Sequence, residues 1–347
     1  MLSHTVPKKL LEHFAYDDPM TRSKRLWRYE KGRAPYGRAA PKTATRWGGH
    51  FADPANATKE AEVEARLQRE FEEPVNQFID LIGYRTFAFT PTHMRLLSGY
   101  LTILFHRSRA RRAASGGQQD RMIDALRAVR ADDDMLAQLI AKQTMDLIPG
   151  GLRRMVTKEE AMAAIDNTIA AHAKGDAAQR GYAHTMETMM AFADKGMQSG
   201  AWGILRTEPD KPFVIGDAPV VTWERTDDNM LVFGQGFARP NVEVFLPIFP
   251  TACTQVLPAV PRNRPVCTPS TEEVNMAQAA FATQHCFTNV QSTGIDVLLQ
   301  PYFGTVRLGI DGFSLQHVDH TKKLFDILMN QPPYRGRIDE GEEVEGT

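Results

Sequence analysis

Apolar residues recur at spacings of three and four from Thr58 to about Lys195, in segments near 58–73, 75–83, 92–112, 119–130, 132–147, 158–174 and 180–198. That is the period of amphipathic helices. Pro74, Pro91 and the run Pro149-Gly150-Gly151 punctuate the stretch. From Trp202 onward the pattern changes. KPFVIGDAPVVTW, MLVFGQ, VEVFLPIF, ACTQVLPAV and GTVRLGI read as short strands bounded by Pro, Gly and Asn. Two helices interrupt that half. One covers about 271–284, opened by Ser270/Thr271 with Glu273 behind as a capping box, and the other covers 319–330 with Asp319 as N-cap. Residues 15–56 are rich in Gly and Pro with short Trp- and Tyr-bearing pieces, which predicts turns and a hairpin. The expected fold class is α+β, a helical body joined to a mixed or antiparallel β-sheet. It forms one integrated domain over 1–336: an irregular basic and aromatic segment (1–56), a helical part (57–200) and a strand-rich part (201–336).

Composition narrows the class without naming an activity. Apolar residues make up 42% and charged residues 24%, enough for a full core. With 41 Lys+Arg against 42 Asp+Glu, no global field draws the chain onto nucleic acid or an acidic membrane. Charge is nevertheless uneven. Residues 1–50 hold eleven Lys/Arg against four Asp/Glu, interleaved with Phe14, Tyr16, Trp27, Tyr29, Tyr36 and Trp47. Such a segment either grips a phosphate backbone or is a solvated stretch whose aromatics plug the core. The tail over 337–347 is acidic and Gly-flanked, and disorder is expected there. Cys253, Cys267 and Cys286 are an odd number without CxxC spacing, which argues against a disulfide framework or a cysteine zinc site. The start has no cleavable apolar core and no stretch is long and apolar enough to span a bilayer, so the expected setting is cytoplasmic, away from membranes.

Common chemical signatures are absent: no GxxxxGK[ST], GxGxxG, HExxH, GxSxG or EF-hand loop occurs. Isolated polar residues in unusual places remain. At about 100° per residue, Glu70 falls about 20° from Val63, at the edge of a stripe made with Leu67 and Phe71. It is either a surface ion-pair partner of Arg66 or a carboxylate with a perturbed pKa. On the helix around Phe105, His106 and Arg109 are i, i+3 neighbours among Arg95 and Thr102, and form either an anion grip or an ordinary solvent face. Asp217 sits on a Gly216-Asp217-Ala218-Pro219 turn between two apolar runs, and either acts on a ligand or closes an Asx-turn. His317-Val318-Asp319-His320 looks metal-like, but Asp319 is needed as a cap and the rest of a ligand set is missing.

Several of these residues fall in segments that resemble a large bacterial family of unknown function. The opening SHTVPKKLLEHFA is similar to that family's His-x-Val-Pro-x-x-x-Leu-x-x-Phe start. LWRYEKGRA, VEARLQREFE, FHRSRARR, FVIGDAPVV, VEVFLPIFP and VNMAQAAFATQ follow in the family's order, and FVIGDAPVV matches its (Ser/Gly)-Asp-x-Pro-Val motif. In FHRSRARR, His106 stands where the family tends to carry Gln, and the Pro after Arg109 is missing. The resemblance spans almost the whole chain and implies a set of positions: His4, Glu64, Glu70, Arg109, Asp217 and Asn275. It implies no activity and no cofactor.

Two functions fit these positions. In the first, the protein is a hydrolase of a phosphate-containing substrate, a small molecule or nucleic acid. Glu70 and Asp217 then hold a divalent metal such as Mg or Mn, or one carboxylate or His4 acts as general base. Arg109 stabilises the transition state, and His106, Arg109 and Asn275 contact the substrate. In the second, the protein is a non-catalytic effector or binding module, and the motif residues form a buried polar network.

Overall fold

The computed structural model describes residues 2–48, 62, 65–108, 123–141, 144–146, 153–155, 157–173, 195–226, 230–234, 236–237, 241–259, 262 and 266–306. The fold is α+β. The chain divides into two compact units, Met1–Ala114 with Gly181–Phe313, and Ser115–Arg180 with Ser314–Thr347.

The first unit carries two five-stranded antiparallel sheets. It opens with β1 (Leu2–His4), α1 (Lys8–His13), β2 (Tyr16–Asp18), β3 (Ser23–Glu30), β4 (Arg33–Ala39) and β5 (Arg46–Gly48). β3 and β4 form the hairpin expected in this segment, and β2 and β5 add strands where only turns were expected. Gly32, at φ 69°, turns β3 into β4. A π-helical turn (Gln68–Glu72) runs into α2 (Glu73–Asn76), a 3-10 turn (Ile79–Gly83) and α3 (Pro91–His106). Thr90 caps α3 by accepting from the His93 N–H, with Pro91 at the first helical position.

The strand-rich half contains α6 (Lys195–Gln198), β8 (Ala201–Arg206), β9 (Ile215–Gly216), β10 (Val221–Arg225), β11 (Leu231–Phe233), β12 (Glu243–Phe249) and β13 (Ala252–Leu257). It ends with α7 (Thr271–Phe281), β14 (His285–Thr288) and α8 (Thr293–Leu299). One sheet has the order β11-β10-β12-β13-β8, the other β2-β3-β14-β9 with β4 also on β3. Pro247 is tolerated inside β12 because β10 pairs only with Glu243–Phe245 and the β13 register shifts between Pro247 and Phe249.

The main core joins α1 (Leu10, Leu11), α3 (Leu97, Tyr100, Leu101, Leu104) and the first sheet (Val221, Trp223, Phe245, Leu246, Ile248). A smaller cluster of Tyr29, Val214, Ala279, Ala282, Cys286, Leu299 and Phe303 lies between the second sheet, α7 and α8.

The second unit contains a helix over 123–131, α4 (Asp133–Ala141), the antiparallel pair β6 (Thr144–Asp146) and β7 (Arg153–Met155), and α5 (Lys158–Ala173). Val129, Leu136 and Ile165 form its core. The helix expected over 132–147 thus ends early, and its last residues form β6. The expected strand GTVRLGI does not begin within 304–306, and its remainder, like the helix over 319–330 and the acidic tail, lies outside the described residues.

Candidate functional site

The segment between β8 and β10 is the most enclosed stretch of motif sequence, with residues 212–223 all buried. It is held by side chains of α7 rather than by a full strand ladder. Asn275 Oδ1 accepts the Val214 N–H at 2.8 Å, and its Nδ2 donates to Pro212 O at 2.9 Å. One turn on, Gln278 Oε1 accepts the Gly216 N–H at 2.8 Å, and its Nε2 donates to Pro219 O at 2.8 Å. Two amides at i, i+3 thus imitate the edge of a neighbouring strand. A Cβ at Gly216 would lie 2.9 Å from Gln278 O, so only glycine lets the strap approach α7 this closely.

Asp217 completes the clamp from the strap's side. Its Oδ1 accepts the Thr283 N–H at 2.7 Å, and its Oδ2 accepts those of Gln284 at 3.0 Å and His285 at 3.2 Å. Its own N–H donates to His285 O at 2.9 Å. The carboxylate is 4% exposed and satisfies the backbone where α7 ends and β14 begins. These bonds are not the local Asx-turn that the sequence suggested: they reach N–H groups 66 to 68 residues further along the chain.

The other sequence candidates lie elsewhere. The π-helical turn spreads each residue over less arc than the assumed helix, so Leu67 is buried while Glu70 rotates outward. Glu70 accepts from Arg66 Nε at 3.1 Å on both oxygens and lies 3.6 Å from Arg69, a surface ion-pair arrangement. His106 is buried at 8% exposure on a part of α3 where Leu97–His106 are all buried, so the solvent-face reading of that helix is corrected. Ser98 and Thr102, polar positions of that helix, return their hydroxyls to Met94 O and Ser98 O. Arg107 is the buried cation there, at 2% exposure, paired with Glu72 at 2.7 Å. His4 ends β1 opposite Arg46. Glu64, Arg109 and the His317–His320 group lie outside the described residues. Among the described residues, no group of three His, Cys, Asp or Glu side chains gathers to hold a metal ion.

Much of the basic charge of the N-terminal segment has acidic neighbours. Lys8 pairs with Glu12, Lys9 with Asp80, and Arg28 and Arg33 lie near Glu30. Arg38 sits 3.6 Å from Asp18 and 5.0 Å over the Trp27 ring, which stacks on Tyr16.

One open groove is lined by side chains of a different kind. It has a volume of about 490 Å3 and lies between β8 and the 85–89 segment. Trp202 and Ile204 of β8 face Phe87, Phe89 and Met94, and Phe89 packs on Trp202 with ring centroids 5.3 Å apart. Arg85 and Arg206 stand at its wall, and no acidic side chain lines it. Arg206 anchors the groove by donating to the carbonyls of Ile82 (2.7 Å), Gly83 (3.1 Å) and Tyr84 (2.7 Å). Burial, and after it the charge of Arg85, draws the Arg206 pKa below the ordinary arginine value. Sequence reading missed this groove, Gln278, Arg107 and Glu243. Two amides at i, i+3 on an otherwise apolar helix were the available signal for Gln278.

An α+β fold with a strap clamped between helix and sheet defines the class. Residues 3–291 match the family described as "Protein of unknown function (DUF4238)", and the chain belongs to it. No curated protein and no solved structure matches the chain. Among the described residues, no helix is long and apolar enough to cross a membrane.

Proposed function

We infer that the chain is a non-catalytic binding module, acting in the cytoplasm, whose motif residues Asp217 and Asn275 hold the fold together. One observation carries this reading: both Asp217 oxygens are occupied by three backbone N–H groups. A carboxylate offers about four lone-pair positions in all. Three of these are taken by backbone N–H groups, and the side chain is only 4% exposed, so a metal or a substrate would have to reach a buried oxygen past the backbone it holds. Glu70, the other proposed ligand, is engaged by Arg66 on an exposed helix face. The binding surface in this reading is the β8 groove, where aromatic walls and two guanidinium groups meet.

The test sets this reading against the hydrolase one. The full chain is incubated with single- and double-stranded nucleic acid and with a chromogenic phosphate ester, in Mg or Mn. No turnover above background is expected. Turnover that disappears in Asp217→Asn, while that variant keeps the parent's circular dichroism and melting curve, would overturn it.

A further inference from the structure

The hydrogen-bonding parity of β8 says which of its backbone groups are free to pair. Thr207 donates its N–H to Thr251 O at 3.2 Å. The β8–β13 register continues from that pair through Leu205↔Cys253, Gly203↔Gln255 and Ala201↔Leu257, with Arg206, Ile204 and Trp202 in between. Hydrogen-bonded and non-bonded pairs alternate along an antiparallel ladder. Trp202, Ile204 and Arg206 therefore turn their backbone N–H and C=O away from β13. β8 is the last strand of its sheet, and among the described residues no strand pairs with that outer edge.

The same three residues line the groove. Their side chains share one face of β8, since successive residues alternate. Next to this edge the 87–90 segment is irregular, and it meets β8 through side chains, Phe89 on Trp202. An edge unpaired among the described residues, an aromatic-lined groove and two guanidinium groups with no acidic side chain in its lining therefore coincide in one place. A long unprotected edge is a liability in most proteins. This one lies beside a groove of about 490 Å3.

We propose that the groove takes an extended acidic peptide segment, which adds as a strand to the outer edge of β8. Its apolar side chains lie in the groove against Trp202, Ile204 and Phe87, and its carboxylates face Arg85 and Arg206. Main-chain bonds to Trp202 and Ile204 supply affinity, and the groove's aromatic lining and charges supply selectivity. This deepens the binding-module reading and rests on it. Arg206 keeps donors for a carboxylate: three of its five N–H groups go to the 82–84 carbonyls, which leaves its Nε–H and one Nη1–H.

Fluorescence polarisation with the full chain tests the proposal. The probe is a short fluorescein-labelled valine–glutamate peptide in which two valines and a glutamate occupy successive positions of one strand face, with threonine between them. The comparison peptides are its valine–lysine counterpart and the same valine–glutamate peptide methylated at every amide. The valine–glutamate probe is expected to bind, and both counterparts to bind at least about tenfold more weakly. Arg85→Glu changes an exposed side chain, so it should weaken the probe by at least about tenfold at an unchanged melting temperature. No binding of the probe would overturn the proposal, as would equal binding of the lysine peptide. Binding indifferent to methylation, or full displacement by benzoate, would show a small-anion pocket in its place. The assay reads binding and not turnover. Failure here beside an inactive enzyme panel sinks the peptide proposal alone, whereas turnover in that panel sinks the binding-module reading.

Discussion

Replacing Asp217 by asparagine removes a charge and turns one carboxylate oxygen into an NH2 donor. Three backbone N–H groups converge on the native carboxylate, one on Oδ1 and two on Oδ2. In the better of its two orientations the amide points its oxygen at Gln284 and His285 and sets its NH2 against the Thr283 N–H. One buried donor then loses its acceptor, which costs about 1–3 kcal/mol, and the two remaining bonds lose their charge assistance, worth about 1 kcal/mol together. The sum is about 2–4 kcal/mol, or a fall of about 5–10 °C in melting temperature for a unit of this size. Thermal denaturation followed by circular dichroism, on parent and variant at one protein concentration, measures it. A variant melting within about 1 °C of the parent would refute the reasoning, because it would mean that the three N–H groups do not depend on the charge.

Further predictions follow from the same contacts. Asn275→Ala and Gln278→Ala should each cost about 2–4 kcal/mol in chemical denaturation, since each strands one buried N–H and one buried C=O; a loss under about 0.5 kcal/mol would contradict the clamp. Glu70→Gln should change stability by less than about 1 kcal/mol in the same assay, as expected for an exposed ion pair, and a larger loss would show that Glu70 has a buried role. Glu243 is buried at 2% exposure beside Gln255 and Arg262, and burial raises its pKa above 4.5. With the folded-state pKa raised, its favourable contribution is complete below the unfolded value near 4.5 and is lost as pH rises through the folded value. Melting temperatures of Glu243→Gln relative to the parent should therefore climb from acidic pH towards neutrality, and a flat or falling difference would contradict that sign.

The parts of this fold that could be read in the sequence are those set by local rules. The capping box of Ser270 and Glu273 places the start of α7, and both of its hydrogen bonds form. Short apolar runs bounded by Pro, Gly and Asn locate β10, β12 and β13, and Pro91 locates the start of α3. What escaped depends on distant partners. β14 is only His285–Thr288, a strand because β3 and β9 flank it, with no run long enough to show a period. Glu243 drew no notice in the sequence, and its burial comes from pairing opposite Trp223 of β10 and accepting from Gln255 of β13. Helical-wheel geometry misplaced Glu70 because the π-helical turn is not encoded in apolar spacing. Asp217 and Asn275 drew notice as motif residues, but their partners lie 61 to 68 residues away, beyond anything spacing conveys. The buried cation Arg107 escaped for a similar reason: its partner Glu72 is 35 residues upstream.

The central claim is that Asp217, Asn275 and Gln278 form a permanent clamp on the backbone rather than a site that opens to a ligand. Amide hydrogen exchange of the full chain tests it at five groups, the N–H of Val214, Gly216, Thr283, Gln284 and His285. If the clamp is structural, these amides exchange only with the slowest set, at the rate of the core strands β12 and β13 and of global unfolding. Exchange of the Thr283, Gln284 and His285 amides at the rate of an open surface loop, while β12 and β13 stay protected, would contradict the claim.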